Sequence, residues 1–391
     1  HRFSPFALLL RREARMAAGF LATNANKRSL ALDISREEGQ RLVRRLIADA
    51  DVVVENFRPG VLDKFGLGAT AMTGLNSRLV YCSISGFGQQ TSWRKRMAYD
   101  DVVQAMSGLV SITGTQESGP VMAGSPIIDY ATGLMAAFAI SAAISKQVRT
   151  GRGEVLDVAM LDCAMSLLGP VFALQYISNM PSALRGNRSF SGSPFSGLYE
   201  AAEGSLVVVA NTPQQTEALL RALGLELLWE DQRVQDWRNH PDVSELLGDQ
   251  LQQAFMGKTA DAWEDLLARV HVPAGKIRTL PEMIDQPYTA ERGFKHEVFV
   301  PGLGETVPLP GVGFLAQGNN GYVDSPPPEL GEHSIETLRE IGVEDAEIER
   351  LLDAAEQARV DGVTARSWGE QRIDEERRRI TFDANNELSR L

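Results

Sequence analysis

Two short apolar runs, each preceded by a helical pattern, constrain this chain more than any other feature. Ser35, Glu37 and Glu38 open a helical pattern through Leu42, Leu46 and Ile47, and Asp51-Val-Val-Val-Glu-Asn56 follows at once. A turn at Arg58-Pro59-Gly60 and short helices to Leu75 lead to Arg78-Leu-Val-Tyr-Cys-Ser-Ile-Ser85, which ends at Gly86-Phe87-Gly88. Runs that are apolar without alternation belong to strands buried on both faces, as parallel strands are. Helix, strand, helix, strand is the order of a doubly wound α/β domain. The Ser35-to-Glu38 spacing predicts a capping box on the first helix.

The pattern continues with predicted helices over Asp100 to Leu109 and Tyr130 to Lys146, the latter stopped at Thr150-Gly151. A strand over Glu154 to Ala159 and one helix from Met160 to Ile177 follow. The longest apolar run, Ala131 to Ile144, is short and Ala-rich, which predicts a buried helix and not a membrane span. Gly, Pro and Ser crowd the stretch from Met180 to Ser196 and mark a domain boundary. Beyond it, Gly197-Leu-Tyr-Glu-Ala201 and Ser205-Leu-Val-Val-Val-Ala210 flank Glu203-Gly204, a hairpin signal. Predicted helices at about Gln214–Leu223, Val243–Met256 and Thr259–Val270 complete a smaller α/β unit. Val298 to Gly318 and Pro326-Pro327-Pro328 lead to C-terminal helices from Ser334, charge-dense after Ala358.

The expected fold class is therefore α/β. A Rossmann-like, doubly wound large domain spans residues 1–190 and a small α/β domain spans 191–315. Residues 316–391 make a helical return to the large domain.

Composition removes several function classes. A net charge of −12 gives no general attraction for nucleic acid or for an anionic membrane surface, so a polyanionic ligand needs a local basic pocket. The two cysteines, Cys82 and Cys163, have no metal-type spacing and read as buried small hydrophobes in a reducing, cytoplasmic compartment. The five histidines, His1, His240, His271, His296 and His333, form no ligand set, so no metal is expected. There is no P-loop, no GxSxG, no GxGxxG placed to open a helix after a strand, and no cleavable signal. The residues alone lead to a soluble two-domain α/β protein.

Several blocks say more. Asn26-Lys-Arg-Ser-Leu-Ala-Leu-Asp33, Asp51 to Gly60 running on to Lys64-Phe65-Gly66, and Asn76 to Gly88 occur in order. They are followed by Ala98-Tyr99-Asp100 with Gln104 to Gly108, Gly151-Arg-Gly-Glu-Val-Leu-Asp157, and Leu330-Gly-Glu-His-Ser334. From about residue 20 to 350 this order resembles the family III CoA-transferases, a family that includes formyl-CoA and carnitine CoA-transferases and α-methylacyl-CoA racemase. The family's opening strand and Ala-Gly-Pro turn have no counterpart here. With Phe3 to Leu10 running straight into Arg11 and Arg12, the start reads as the interior of a domain, an N-terminal truncation. Gly192-Ser-Pro-Phe195 stands where formyl-CoA transferase has a longer glycine-rich lid.

The resemblance implies an enzyme that moves coenzyme A from an acyl-CoA donor to a small carboxylic acid acceptor, with no permanently bound cofactor. It also implies an interlocked homodimer. Asp129, in Gly124-Ser-Pro-Ile-Ile-Asp129, matches the family's nucleophile and would form an aspartyl anhydride and then an aspartyl-CoA thioester. From residue chemistry alone, an Asp before an Ala-rich helix is a good N-cap, and a helix N-terminus favours the ionised form that attacks. For CoA the resemblance carries over Leu32, Asn56, Phe57, Arg58, Lys64 and Phe65, with Arg96 and Tyr99 near the reacting end. Lys64 and Arg96 suit phosphates, while Phe57 and Phe65 also read as ordinary core. Asp157 and Asp162 read as structural. A racemase of 2-methylacyl-CoA is the first alternative. The family's racemases have His beside Asp where this chain has Tyr99-Asp100, and Glu where Thr212 aligns, so a pair of bases is lacking. A non-catalytic CoA-binding subunit of a hetero-oligomer is the second.

Overall fold

The structure, a computed structural model, describes residues 16–178, 183–184 and 186–351. The chain divides into two compact units, one formed by Ile34–Ala290 and the other by the segments on either side of it.

In the first unit, α1 (Glu37–Asp49) turns Leu42 and Ile47 inward and carries Glu37 and Glu38 in its first turn, where acidic groups complement the helix dipole. Its N-cap is Arg36, which makes no side-chain cap bond, and not Ser35, the residue from which the predicted capping box was counted. With the cap one residue later, Glu38 occupies the second helical position, out of register for the reciprocal bond. Next come β1 (Val52–Glu55), α2 (Ala69–Leu75), β2 (Val80–Ser85), α3 (Asp100–Met106), α4 (Ile127–Thr150) and β3 (Glu154–Ala159). The strands form a parallel sheet in the order β1-β2-β3, with Val52 opposite Val80 and Ser85 opposite Ala159. This is the parallel pairing that the apolar runs predict; β2 is central and almost wholly buried, but β1, at the edge of the sheet, is not buried as expected, and Val54 is 53% exposed. Ile47, Leu67, Met72, Leu79 and Tyr81 pack together in one cluster. Cys82, Ala136, Val158 and Cys163 form another; both thiols are free and buried. A Cβ at Gly153 would stand 1.9 Å from the Leu79 carbonyl oxygen, so only glycine lets the chain enter β3 this close to β2.

Two expectations about the long helix region are corrected. α4 is not buried: Ile128, Thr132, Ala136, Ala143 and Gln147 face inward, but Leu134, Phe138 and Val148 are 73%, 72% and 75% exposed. At 24 residues α4 is also long and apolar enough to cross a membrane by length and composition, contrary to the sequence reading. It is instead the crossover between β2 and β3 and packs on both strands. The apolar helix predicted from Met160 to Ile177 is two helices, α5 (Met160–Leu167) and α6 (Gly169–Ser178), bent by 68°. Pro170 explains the break, since its ring cannot continue the preceding turn. α6 leaves Tyr176 and Ile177 largely exposed.

The predicted hairpin is present as β4 (Gly197–Glu200) and β5 (Ser205–Val208), extended by β6 (Ala274–Lys276) into an antiparallel sheet. Helices α7 (Pro213–Ala222), α8 (Pro241–Phe255) and α9 (Ala260–Arg269) accompany it. Their shared core includes Phe195, Leu206, Leu219, Leu247 and Leu267, with Phe255 stacked on Tyr199 at 4.5 Å and meeting Trp263 edge-on at 5.4 Å. Phe195 is fully buried and the Ser193 hydroxyl donates to the Ala210 carbonyl, so the short Gly192–Phe195 segment is anchored to this core.

The second unit joins a helix, Ala18–Thr23, to an antiparallel pair, β7 (Lys295–Val300) and β8 (Glu305–Pro310), through Leu21, Val300 and Leu309. Residues 291–315, grouped with the small domain on sequence, fall in this unit. α10 (Ser334–Glu340) follows the Leu330–Ser334 turn. That turn clasps the Ser29–Ala31 segment: the Gly331 N–H donates to Ser29 Oγ, the His333 N–H to the Ser29 carbonyl, and the Ala31 N–H to Ser334 Oγ. Two of the sequence blocks are thus neighbours, and the clasp fixes the chain just before Leu32, which is half-buried. The predicted charge-dense helices after Ala358 and the apolar start at Phe3–Leu10 lie outside the described residues.

Candidate active site at the carboxyl end of the parallel strands

Parallel strands deliver the residues that follow them to one edge of the sheet. After β1, the Asn56 amide donates to the Ile84 carbonyl of β2 at 2.9 Å, and the Phe57 N–H donates to the Glu55 carboxylate at 2.7 Å. A turn closes from the Val61 N–H to the Arg58 carbonyl. Phe57, Arg58 and Lys64 are exposed. Phe65 is not: it packs with the Ile47 and Leu67 cluster, and its carbonyl accepts from the Arg44 guanidinium at 3.0 Å.

After β2, the chain folds back tightly. A Cβ at Gly86 would lie 2.2 Å from that of Ala98. The Gly88 N–H donates to Ser85 Oγ and the Gln89 N–H to the Asp157 carboxylate at 2.8 Å, so Asp157 has the structural role read for it. Trp93 meets Phe87 edge-on, and the Arg96 guanidinium lies 4.3 Å from the Trp93 ring centroid. That contact restrains Arg96 while leaving its charge accessible. Tyr99 is 69% exposed and opens α3.

Asp129 reaches the same edge. α4 runs from the carboxyl end of β2 back to the start of β3, and Ile128 packs with Met160, the residue after β3. The N-cap of α4 is Pro126, without a side-chain cap bond, so Asp129 is the third helical residue and not the cap read from the sequence. The cap comes from α3. Asp100 Oδ2 accepts the N–H of Ile128 at 2.7 Å and of Asp129 at 2.9 Å, while Gln104 donates to Asp100 Oδ1. Gln104 is fully buried and in turn accepts the Ala123 N–H at 2.9 Å.

With its backbone held this way, the Asp129 carboxyl is pushed above the usual carboxylate range. Burial is the largest cause, followed by the charges of Asp100 and Asp101. All three act against the ionised form, which a helix N-terminus alone would favour. Sequence reading did not assign this role to Asp100 and Gln104, although the four-residue spacing that puts them on one helix face was visible. Thr212, where the family's racemases have Glu, caps α7 in a reciprocal box with Gln215. Among the described residues no cluster of His, Cys, Asp or Glu is placed to hold a metal ion. Leu32 lies in the other unit.

The structure is a mixed α/β fold with a carboxylate at the carboxyl end of its parallel strands, the edge where α/β enzymes bind their ligands. The chain matches the profile of CoA-transferase family III over residues 7–334 and belongs to that family. It is a transferase, and the family's substrates are CoA thioesters. It is 33% identical to the succinate–glutarate CoA-transferase of Agrobacterium fabrum, covering 86% of this chain and 84% of that protein. Identity is 32% to the succinyl-CoA:glutarate CoA-transferase of Mus musculus, over 85% and 76%, and 31% to the α-methylacyl-CoA racemase of the same species, over 83% and 84%. The fold matches the crystal structure of a CaiB/BaiF family protein from Brucella suis with a TM-score of 0.70, 30% identity, and coverage of 83% of this chain and 84% of that one.

Proposed function

We propose that this transferase moves coenzyme A between carboxylic acids with Asp129 as its nucleophile. The observation that carries the reading is a solvent-reachable carboxylate on the first turn of α4, at the sheet edge where α/β ligands bind. An Asp129 oxygen attacks the thioester carbonyl, the C–S bond breaks, and CoA thiolate leaves an aspartyl anhydride. The thiolate then attacks the Asp129 carbonyl carbon, releasing the donor acid and leaving an aspartyl-CoA thioester. The acceptor carboxylate attacks that thioester and the two steps run in reverse. Leu32, Asn56, Phe57, Arg58, Lys64, Phe65, Arg96 and Tyr99 hold the CoA, with the cations of Lys64 and Arg96 facing its phosphates. Relatives named for succinate and glutarate make these the first acids to supply.

The test is intact-mass spectrometry after incubation with succinyl-CoA alone. A covalent CoA adduct that maps to Asp129 is expected. An active enzyme without an adduct, or with one elsewhere, overturns the assignment.

The racemase reading has a relative behind it, but two observations weigh against it. Asp100 is buried with both oxygens engaged, and Thr212 is a helix cap. The interlocked homodimer and the cytoplasmic location are also parts of the proposal. The apolar faces of α4 and α6 support a second copy as the cover they need.

A further inference from the structure

Asp100 is the buried carboxylate that the chemistry above leaves unused. It is 7% exposed, and its two oxygens take three donors: the backbone N–H groups of Ile128 and Asp129, and the Gln104 amide. The N-cap of α4 is a proline, which supplies no side-chain bond of its own. We infer that Asp100, braced by Gln104, is the positioning residue of the nucleophile: it fixes the first turn of α4 and so the place from which Asp129 attacks. This rests on the reading of Asp129 as the nucleophile.

The arrangement has two consequences. A carboxylate on the third helical residue is placed by the backbone of that residue, and here that backbone is tied to α3 through its own N–H. Loosening the tie lets the attacking oxygen wander, and misplacement of about 1 Å costs roughly 100-fold in rate. The second consequence is electrostatic. Asp100 and Asp101 on α3 raise the proton affinity of Asp129. α5, which also packs on α4, contributes Asp162 and the Cys163 thiol; that thiol is itself pushed up, by burial first, and Asp162 acts on it. Asp100 therefore holds the nucleophile in place and, after burial, adds to the upward shift of its ionisation.

The test compares wild type, Asp100→Asn and Gln104→Met for the rate of Asp129 acylation by succinyl-CoA, followed by mass, across pH. For Asp100→Asn, acylation at the alkaline plateau is expected to slow roughly 10-fold or more, with the acid limb moved to lower pH and KM for acyl-CoA little changed. Gln104→Met keeps the Asp100 charge; it should slow acylation at the plateau without moving the limb. A purely structural Asp100 would lower activity evenly at every pH, without the limb shift, and that result overturns the inference. So does wild-type acylation in Gln104→Met, which stands as the test should Asp100→Asn fail to fold. An adduct that maps away from Asp129 in the wild type removes the nucleophile reading itself. Normal acylation of Asp129 in both variants removes only the positioning role.

Discussion

The outer face of α4 invites a direct perturbation. Leu134 and Phe138 are one helical turn apart and each has nearly three quarters of its surface still exposed. Completing the burial of such a side chain contributes about 1–2 kcal/mol. In a two-fold dimer the pair acts twice, for a total on the order of 4–8 kcal/mol. At 1.4 kcal/mol per decade this is about three to six powers of ten in the dissociation constant. The double variant Leu134→Glu/Phe138→Glu forfeits that contribution and adds the cost of covering carboxylates. Light scattering after size exclusion should therefore show a dimeric wild type and a monomeric variant at micromolar concentration. A variant that remains dimeric refutes the argument, because the face would then not be what a second copy covers. Flotation of the wild type with lipid vesicles would refute it from the other side, by showing that α4 meets a bilayer.

Asp129→Ala and Asp129→Asn should abolish transfer in a coupled assay with succinyl-CoA and glutarate; near wild-type turnover by either removes the nucleophile. Folding raises the proton affinity of this carboxyl, so the wild type carries no penalty below the ordinary aspartate pKa and the full penalty above the raised value. Asp129→Asn should accordingly match the wild type at low pH and gain stability as pH rises, by at most about 1 kcal/mol because the group is solvent-reachable. Urea midpoints across pH would show this, and a loss of about 1 kcal/mol at pH 7 would mean that the carboxylate acts as a cap after all. CoA binding should weaken with salt and again with Lys64→Ala, as expected for an acidic chain holding a polyanion through a few cations; calorimetry showing a salt-independent affinity contradicts this. A 2-methylacyl-CoA incubated in deuterated water should gain no enzyme-dependent deuterium at C2, since transfer chemistry is confined to the carbonyl carbon; uptake there would favour a racemase.

The fold was legible where local pattern decides it. The Val80–Cys82 run announced a parallel strand because burial on both faces leaves no alternation, and the hairpin around Glu203-Gly204 carried its own turn signal; Val52–Val54 pairs in parallel as well, although Val54 stays half exposed. The break between α5 and α6 was written in Pro170 and went unread. The exposure of α4 was illegible because an apolar helix face has the same composition whether a sheet or a second molecule covers it. The site shows the same division. Residues following β1 and β2 could be grouped because parallel topology brings strand ends together. That Asp129 is capped by a carboxylate 29 residues earlier in sequence depends on how α3 packs against α4, and no local spacing encodes it.

The clasp between Ser29–Ala31 and Gly331–Ser334 bears on how the protein is made. Asn26 also accepts the N–H groups of Asp324 and Ser325, bonds that join positions 298 and 299 apart in sequence. On a ribosome Asn26 emerges before Ile34–Ala290, yet its partners arrive only after the whole of that unit has been synthesised. At 5–20 residues per second, typical of translation, that delay is on the order of 15–60 seconds. The Ile34–Ala290 unit has all of its own strands by the end of this interval, before Asp324 and Ser325 are made, so it is free to fold first, while the segment around Asn26 still waits for its partners.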